Sequence, residues 1–177
     1  VILGAVLAGG QSSRFGSDKA LAELGGQTLL ARAVATLEAQ CDAVVVVGRS
    51  DAPTTTIPDR PASGMGPLGG IAAALHHAAN HGYADILTCG VDCAGLAANT
   101  LGDLSPAPSY CADQPVIGLW PASAAAAVDE LLASDAKHSM RAFAQLVGAR
   151  AVRLSAIPAN INTREDLVAA QEYHDGH

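Results

Sequence analysis

The sequence predicts an α/β fold in three layers, a mostly parallel sheet covered by helices on both faces. Three observations predict it. Continuous apolar runs of strand length recur at residues 1–8, 43–47 and 84–89. Segments of helical length separate them, giving the order β, α, β, α, β. The first run shows no polar alternation and stops at Gly9-Gly10, as a strand buried on both faces does. Parallel neighbours need crossover helices, and such crossovers are right-handed.

Each element follows in order. Residues 1–8 (VILGAVLA) form the first strand. Residues 28–39 (TLLARAVATLEA) place Leu29, Ala33, Thr36 and Leu37 on one helical face. The second strand is 43–47, and a helix rich in small residues, 68–79, follows a glycine-rich loop and leads to the third strand, 84–89. The second half holds a short element at 99–104, a proline-punctuated loop at 105–108 and a strand at 115–120. An alanine-rich helix at 122–133 and a helix at 139–147 come next, the latter closed by Gly148 as C-cap. Residues 150–154 alternate as a strand and 160–162 form a polar turn. Thr163 then caps a last helix with Glu165 and Asp166 in its first turn. With no internal repeat and no long linker, a single domain over 1–177 is expected.

Composition narrows the function. The 177 residues carry 17 acidic against 10 basic side chains, a net charge of −7, which argues against a nucleic-acid partner. Half the residues are hydrophobic and 15% are charged, too apolar for a disordered chain. Two Phe, one Trp and three Tyr offer neither a stacking platform nor a membrane belt, so the core is expected to rest on Ala, Val, Leu and Ile. No apolar run approaches the roughly 18–20 residues that span a bilayer, and no charged segment precedes a cleavage site; a soluble, cytoplasmic protein with no membrane partner is expected. Cys41, Cys89, Cys93 and Cys111 form no C-x-x-C pair and read as reduced structural thiols.

In open α/β sheets ligands bind beyond the carboxyl ends of the strands, so the first loop is the place for chemistry. Its adjacent glycines, Gly9 and Gly10, can turn backbone N–H groups inward as a nest for phosphate oxygens, and Arg14 and Lys19 add positive charge. It is not a Walker A loop, because Gly16 is followed by Ser17-Asp18-Lys19, and it is not G-x-G-x-x-G. Asp92 follows the third strand, where a carboxylate ligand for Mg²⁺ should project. A second glycine-rich loop, 64–70, should bring backbone close to a ligand. Asp59, just before it, reads either as a ligand-binding acid or as an exposed acid paired with Arg60. His77 and His81 stand at i, i+4 beside His76, a metal spacing. They lack the Glu of H-E-x-x-H, on a helix expected near the surface, and so read as solvated or capping.

Leu7-Ala8-Gly9-Gly10, Ser12, Arg14, Gly16 and Asp18-Lys19 resemble the signature L-A-G-G-x-S-x-R-M/F-G-x-D-K of the MobA-like NTP transferases, the family of molybdenum cofactor guanylyltransferase. Gly66-Pro67-Leu68-Gly69-Gly70-Ile71 is similar to the family's G-P-L-x-G-I/M. The run Asn160-Ile161-Asn162-Thr163-Arg164-Glu165-Asp166-Leu167 is similar to its N-V/I-N-T-P-E-D/E-L, so the resemblance covers essentially the whole chain. It implies a Rossmann-like sheet of the nucleotide-diphospho-sugar transferase type, with a nucleotide-binding half over about 1–95 and an acceptor-binding half over about 96–177.

The resemblance also implies a reaction, attack by the terminal phosphate of molybdopterin on the α-phosphorus of GTP. Pyrophosphate leaves and the guanine dinucleotide form of the cofactor results. Charge grows on the α-phosphoryl oxygens and the leaving group, so cations, N–H donors and Mg²⁺ are required. By resemblance Arg14, Lys19 and Asp92 are catalytic, with Asp92 also the metal ligand. Leu7, Ala8, Gly9, Gly10, Lys19, Asp59, Gly66, Pro67, Leu68 and Asp92 meet the nucleotide, and Asn160, Asn162 and Arg141 the acceptor. The implied partners are GTP, molybdopterin and, transiently, other cofactor-biosynthesis proteins.

Leu7 and Gly9-Gly10 with Gly66-Pro67-Leu68 lean towards guanine, since related cytidylyltransferases tend to have L-A-A-G and lack Pro-Leu. Three departures stand against the pattern. Asp92-Cys93-Ala94 lacks the proline of the family's D-x-P. Gly48 occupies the place of an asparagine and supplies no side-chain hydrogen bond. The segment from Asp103 to Ile117 is short and has Gln114-Pro115 where His-Pro is common, which suggests altered pterin contacts. The alternatives are a molybdopterin cytidylyltransferase and a nucleotide-binding protein without turnover.

Overall fold

The computed structural model describes residues 1–9, 21–50, 52–61, 66–91, 96–156, 165, 166, 168 and 169. Strands β1 (Ile2–Leu7), β4 (Ala43–Val47), β5 (Thr55–Ile57), β6 (Asp85–Gly90), β7 (Ser109–Cys111), β8 (Gly118–Pro121) and β9 (Arg150–Val152) make one sheet in the order β5-β4-β1-β6-β8-β7-β9. A hairpin of β2 (Glu23–Leu24) and β3 (Gln27–Thr28) stands apart. The helices are α1 (Leu29–Glu38), α2 (Pro67–Asn80), α3 (Thr100–Leu104), α4 (Ala125–Ala133) and α5 (Met140–Val147).

The pairings β5/β4, β4/β1, β1/β6 and β7/β9 are parallel, as a mostly parallel sheet requires, and β8 runs antiparallel to both β6 and β7. The double reversal returns β7 and β9 to the direction of β6. Six strands therefore deliver their carboxyl ends to one edge, where Leu7 lies level with Val47 and Gly90.

The layers are as expected. On one face Leu68, Ile71 and Leu75 of α2 pack with Val45, Val47 and Ile86, flanked by Val128 of α4 and Phe143 of α5. On the other, Leu30, Val34 and Leu37 of α1 join Val6, Val46, Leu87 and Leu104. The hydroxyl of Thr28 accepts the Ala31 N–H at 3.0 Å, starting α1. Ser139 caps α5 through the Ala142 N–H at 3.1 Å, and Gly148 ends it in the left-handed region at φ 68°.

Several expectations need correction. Helix α2 does not lie near the surface: it is buried at every position from Leu68 to Leu75, because its small residues let the backbone settle on the sheet. Thr36 is only partly buried and turns its hydroxyl to the Arg32 carbonyl at 2.8 Å, so the buried stripe of α1 is Leu29, Ala33 and Leu37, as expected, widened by Leu30 and Val34. The strand expected at 115–120 starts at Gly118, because the Ile117 N–H bonds back to the Gln114 carbonyl at 2.9 Å and makes a turn. The strand at 150–154 stops at Val152, and residues 122–124 form a 3₁₀ turn before α4. The core is not purely aliphatic either, since Trp120 and Phe143 are its largest fully buried side chains. The Trp120 indole donates to the Thr88 hydroxyl at 3.1 Å, which donates to the Val116 carbonyl at 2.7 Å, so neither polar group is left unpaired.

Cys89 and Cys111 are buried free thiols. Cys41 is half-buried, and burial, with Asp42 beside it, pushes its thiol up to about 12, which leaves it unreactive. Cys93 lies outside the described residues.

Candidate functional site

Two strand ends meet at the carboxyl edge. Past β1 the ladder runs on one step, with the Ala8 N–H on the Val47 carbonyl at 2.8 Å; past β4 the Gly48 N–H bonds to the Ile57 carbonyl at 3.0 Å. These bonds press Gly9 against Gly48. A Cβ on Gly48 would lie 2.5 Å from the Gly9 Cα, and Gly48 has φ +91°, so both space and dihedral demand glycine. The sequence reading of Gly48 as a lost hydrogen bond is incomplete: the position holds two backbones in contact.

Asp59 follows β5 and reaches into this junction. Cβ atoms on Gly9, Gly48 and Gly70 would lie 3.0, 3.3 and 3.6 Å from its carboxylate oxygens. The carboxylate is thus packed among three glycines from β1's end, β4's end and α2's first turns. Burial raises its pKa above the ordinary aspartate value. Among the described residues Asp59 makes no ion pair with Arg60. Instead the Arg60 backbone N–H bonds to the Gly69 carbonyl at 3.1 Å, tying the Asp59 loop to α2.

Helix α2 starts beside this group. Gly66 precedes it with φ 72°, Pro67 opens it, and neither a side-chain cap nor an acid occupies its first turn. The positive end of a 14-residue helix therefore faces the edge. Gly66 and Pro67 are exposed there, but Leu68 is fully buried in the core and offers a ligand only its backbone. Leu7 is half-buried and packs on Gly70, and Ala8 is buried.

Of the residues picked from sequence, the structure brings together Leu7, Ala8, Gly9 and Asp59, with Gly66, Pro67 and Leu68 opening the adjoining helix. Arg141 stands apart from them. It lies on α5, and its guanidinium donates to the Ala112 carbonyl at 3.2 Å, in the turn between β7 and β8 at the same edge. Gly10, Arg14, Lys19, Asp92, Asn160 and Asn162 lie outside the described residues; Val91, just before Asp92, is buried past the end of β6. Sequence reasoning placed Gly70 in a glycine-rich stretch that brings backbone close to a ligand but missed its contact with Asp59, which only the fold supplies.

Of the three histidines read as solvated or capping, His81 caps its helix, while His76 and His77 are partly buried and make contacts of their own. The rings of His77 and His81 stack with centroids 4.1 Å apart, and His81 Nδ1 donates to the His77 carbonyl at 2.7 Å, capping α2. Burial, then the charge of His81, lowers the His77 pKa. His76 Nε2 bonds to Asp129 at 2.6 Å, joining α2 to α4. Among the described residues no group of three His, Cys, Asp or Glu side chains gathers to hold a metal ion.

Residues 4–153 match the sequence profile of the MobA-like NTP transferase domain. The molybdenum cofactor guanylyltransferase of Rhizobium johnstonii is 35% identical, with 97% of this chain and 92% of that protein aligned. The enzyme of the same name from Rhodobacter capsulatus is also 35% identical, over 97% of this chain and 95% of its own. Among solved structures, molybdopterin-guanine dinucleotide biosynthesis protein A from Archaeoglobus fulgidus superposes with a TM-score of 0.73 at 20% identity, covering 99% of this chain and 100% of that one. The 2-C-methyl-D-erythritol 4-phosphate cytidylyltransferase of Thermus thermophilus gives 0.64 at 14% identity, with 97% and 98% covered. These two likenesses establish the nucleotidyltransferase fold.

Proposed function

The chain belongs to the MobA-like NTP transferase family, and from that premise we propose that it transfers GMP from GTP to molybdopterin, releasing pyrophosphate. One observation carries the guanine assignment: the Asp59 carboxylate, packed among Gly9, Gly48 and Gly70 beside the start of α2. A carboxylate accepts two hydrogen bonds side by side, and guanine presents adjacent donors at N1 and N2. Cytosine sets one donor beside an acceptor, which a carboxylate repels. Gly66, with open space where a Cβ would stand, leaves room for a base to approach backbone.

The remaining roles follow from charge. Gly9 and Gly10 would turn N–H groups to the phosphates, and Arg14 and Lys19 would balance charge growing on the α-phosphoryl oxygens and the leaving pyrophosphate. Mg²⁺ takes only one or two protein carboxylates and completes its shell with phosphate oxygens and water. Asp92, directly after Val91 at the end of β6, would hold the ion. When bound, Mg²⁺ supplies charge neutralisation at the phosphates. Asn160 and Asn162 would donate amide N–H groups to the acceptor's phosphate, and Arg141 would brace the wall beside it through Ala112.

The division of labour is a nucleotide half over about 1–95 and an acceptor half over about 96–177, within one domain. No helix among the described residues is long and apolar enough to cross a membrane. We assign the reaction to the cytoplasm, with transient contacts to other cofactor-biosynthesis proteins.

Pyrophosphate release from GTP, Mg²⁺ and molybdopterin tests the reading. Lys19→Ala and Asp92→Ala should each reduce it to background. Preference for CTP would overturn the guanine assignment. Tight GTP binding without turnover on authentic molybdopterin would point to a binding protein instead.

A further inference from the structure

We propose that His77 and His81 form a two-imidazole site for a borderline divalent cation such as Zn²⁺ or Ni²⁺, at the end of α2 remote from the candidate nucleotide site. The pair stands at i, i+4, and the fold brings the rings together, with centroids 4.1 Å apart and planes inclined by 25°. Nitrogens about 2.0–2.1 Å from a shared Zn²⁺ stand roughly 3.3 Å from each other in a tetrahedral shell, close to this ring separation. Small side-chain rotations suffice to reach it.

The hydrogen bonds leave the ligating atoms free. His81 Nδ1 lies 2.7 Å from the His77 carbonyl, which only accepts, so Nδ1 carries the proton and the neutral ring keeps its lone pair at Nε2. Metal-ligating histidines donate their other ring nitrogen to a carbonyl or carboxylate, which fixes tautomer and ring plane, and His81 already does so. The His77 ring makes no hydrogen bond among the described residues. Burial, then the charge of His81, lowers its pKa, so at neutral pH it too has a lone pair to give. His76 is engaged by Asp129 at 2.6 Å and points about 100° away around the helix.

The backbone holds the pair in place. His81 is the C-cap of α2, Gly82 follows with φ +78°, and the Tyr83 N–H returns to the Ala78 carbonyl at 2.9 Å. That turn pins His81 one helical turn beyond His77. The last carbonyls of α2 are the negative end of its macrodipole, which favours a cation there. His81 is exposed and His77 half-buried, so water reaches the ion and completes its shell.

Two neutral nitrogens also choose the metal. Imidazole suits Zn²⁺, Ni²⁺ and Cu²⁺, whereas Mg²⁺ takes oxygen ligands. His77 lies ten residues along α2 from Pro67, about 15 Å of helix, so the site is separate from the proposed transfer and stands or falls without it. An ion there would cross-link the last turn of the helix whose first turns pack Gly70 near Asp59.

Isothermal titration of the untagged chain with NiCl₂ and with ZnCl₂ at neutral pH tests the site. His77→Gln and His81→Gln should each weaken binding about tenfold or more, while His76→Gln and Asp59→Asn leave it unchanged. A second measurement needs no variant. In NMR of the wild-type chain, substoichiometric Ni²⁺ should broaden the ring signals of His77 and His81 before those of the other four histidines, and MgCl₂ should leave both unmoved. Unchanged affinity in either glutamine variant, earlier broadening of another histidine, or loss of binding in Asp59→Asn overturns the site.

Discussion

A carboxylate packed against glycine backbone is harder to ionise than one in water, and Asp59 is in that position. Its folded pKa is raised above 3.8, so the folded chain holds the proton more tightly than the unfolded one. The stability this gives is complete below the unfolded value and is lost as pH rises through the folded value, so at neutral pH the charged Asp59 opposes folding. Asp59→Asn should therefore raise the melting temperature of the ligand-free protein by a small amount at pH 7, with the gain vanishing under acid. The same change should weaken GTP binding by roughly ten- to a hundredfold, since a charged hydrogen-bond acceptor contributes about 1.5–3 kcal/mol. Calorimetry at pH 7 and at acid pH reads the first effect and isothermal titration the second; a destabilised variant with unchanged affinity would contradict the role. Gly48→Ala tests the other side of the junction. Its Cβ would collide with the Gly9 backbone at a φ of +91°, so a loss of about 1–3 kcal/mol is expected in urea unfolding. Gly9 was legible from its motif, and Asp59 only as one of two readings of an acid before a glycine-rich stretch. The demand for glycine at position 48 was not, because it arises from a contact with residue 9 that linear spacing does not encode.

Elements were legible in proportion to their length and their caps. Helix α1 showed an apolar stripe behind Thr28, and α5 stood between Ser139 and Gly148, so local chemistry announced both. Strands β5 and β7 have three residues each, too few to show a period, and pairing with β4, β8 and β9 defines them. The reversal at β8 was hidden likewise, since direction is set by the turn at 114–117. Helix α2 misled for another reason. Its many alanines and glycines lower the contrast between faces, whereas small side chains here allow close approach to the sheet. That depth has a consequence for stability. Ile71 is fully buried against the sheet, and Ile71→Ala should cost about 2–5 kcal/mol in urea unfolding. A loss below about 1 kcal/mol would mean that the face can collapse around the cavity. Since α2 also presents its first turns to Asp59, the same variant should weaken GTP binding in step with the displacement of Gly70.

At the scale of the whole molecule, a net charge of −7 stands against a polyphosphate ligand and makes the proposed activity depend on where the few cations lie. The chain has two lysines, Lys19 and Lys137, and Lys19 shares the first loop with Arg14. Two cations five residues apart in one stretch of sequence would focus a field that total charge conceals. They do not match the charge of a nucleoside triphosphate, so in the proposed reaction the balance would fall to Mg²⁺. Nucleotide binding should therefore be strongly metal-dependent. With Mg²⁺ and GTP at about a hundred times Kd, mass action adds about 2.7 kcal/mol, which for a chain of this size raises the melting temperature by roughly 5–10 °C. GTP with a chelator should give only a small fraction of that shift, because repulsion between an acidic protein and a bare triphosphate goes uncompensated. CTP with Mg²⁺ should fall between the two, since its phosphates gain the same neutralisation while its base finds no match at Asp59. A panel of these conditions at low and moderate ionic strength separates the contributions. Screening should shrink the phosphate part common to both nucleotides and spare the difference between the bases, which arises at a half-buried carboxylate. Equal shifts for GTP and CTP would remove Asp59 as the reader of the base, and equal shifts with and without Mg²⁺ would remove the metal from the binding step.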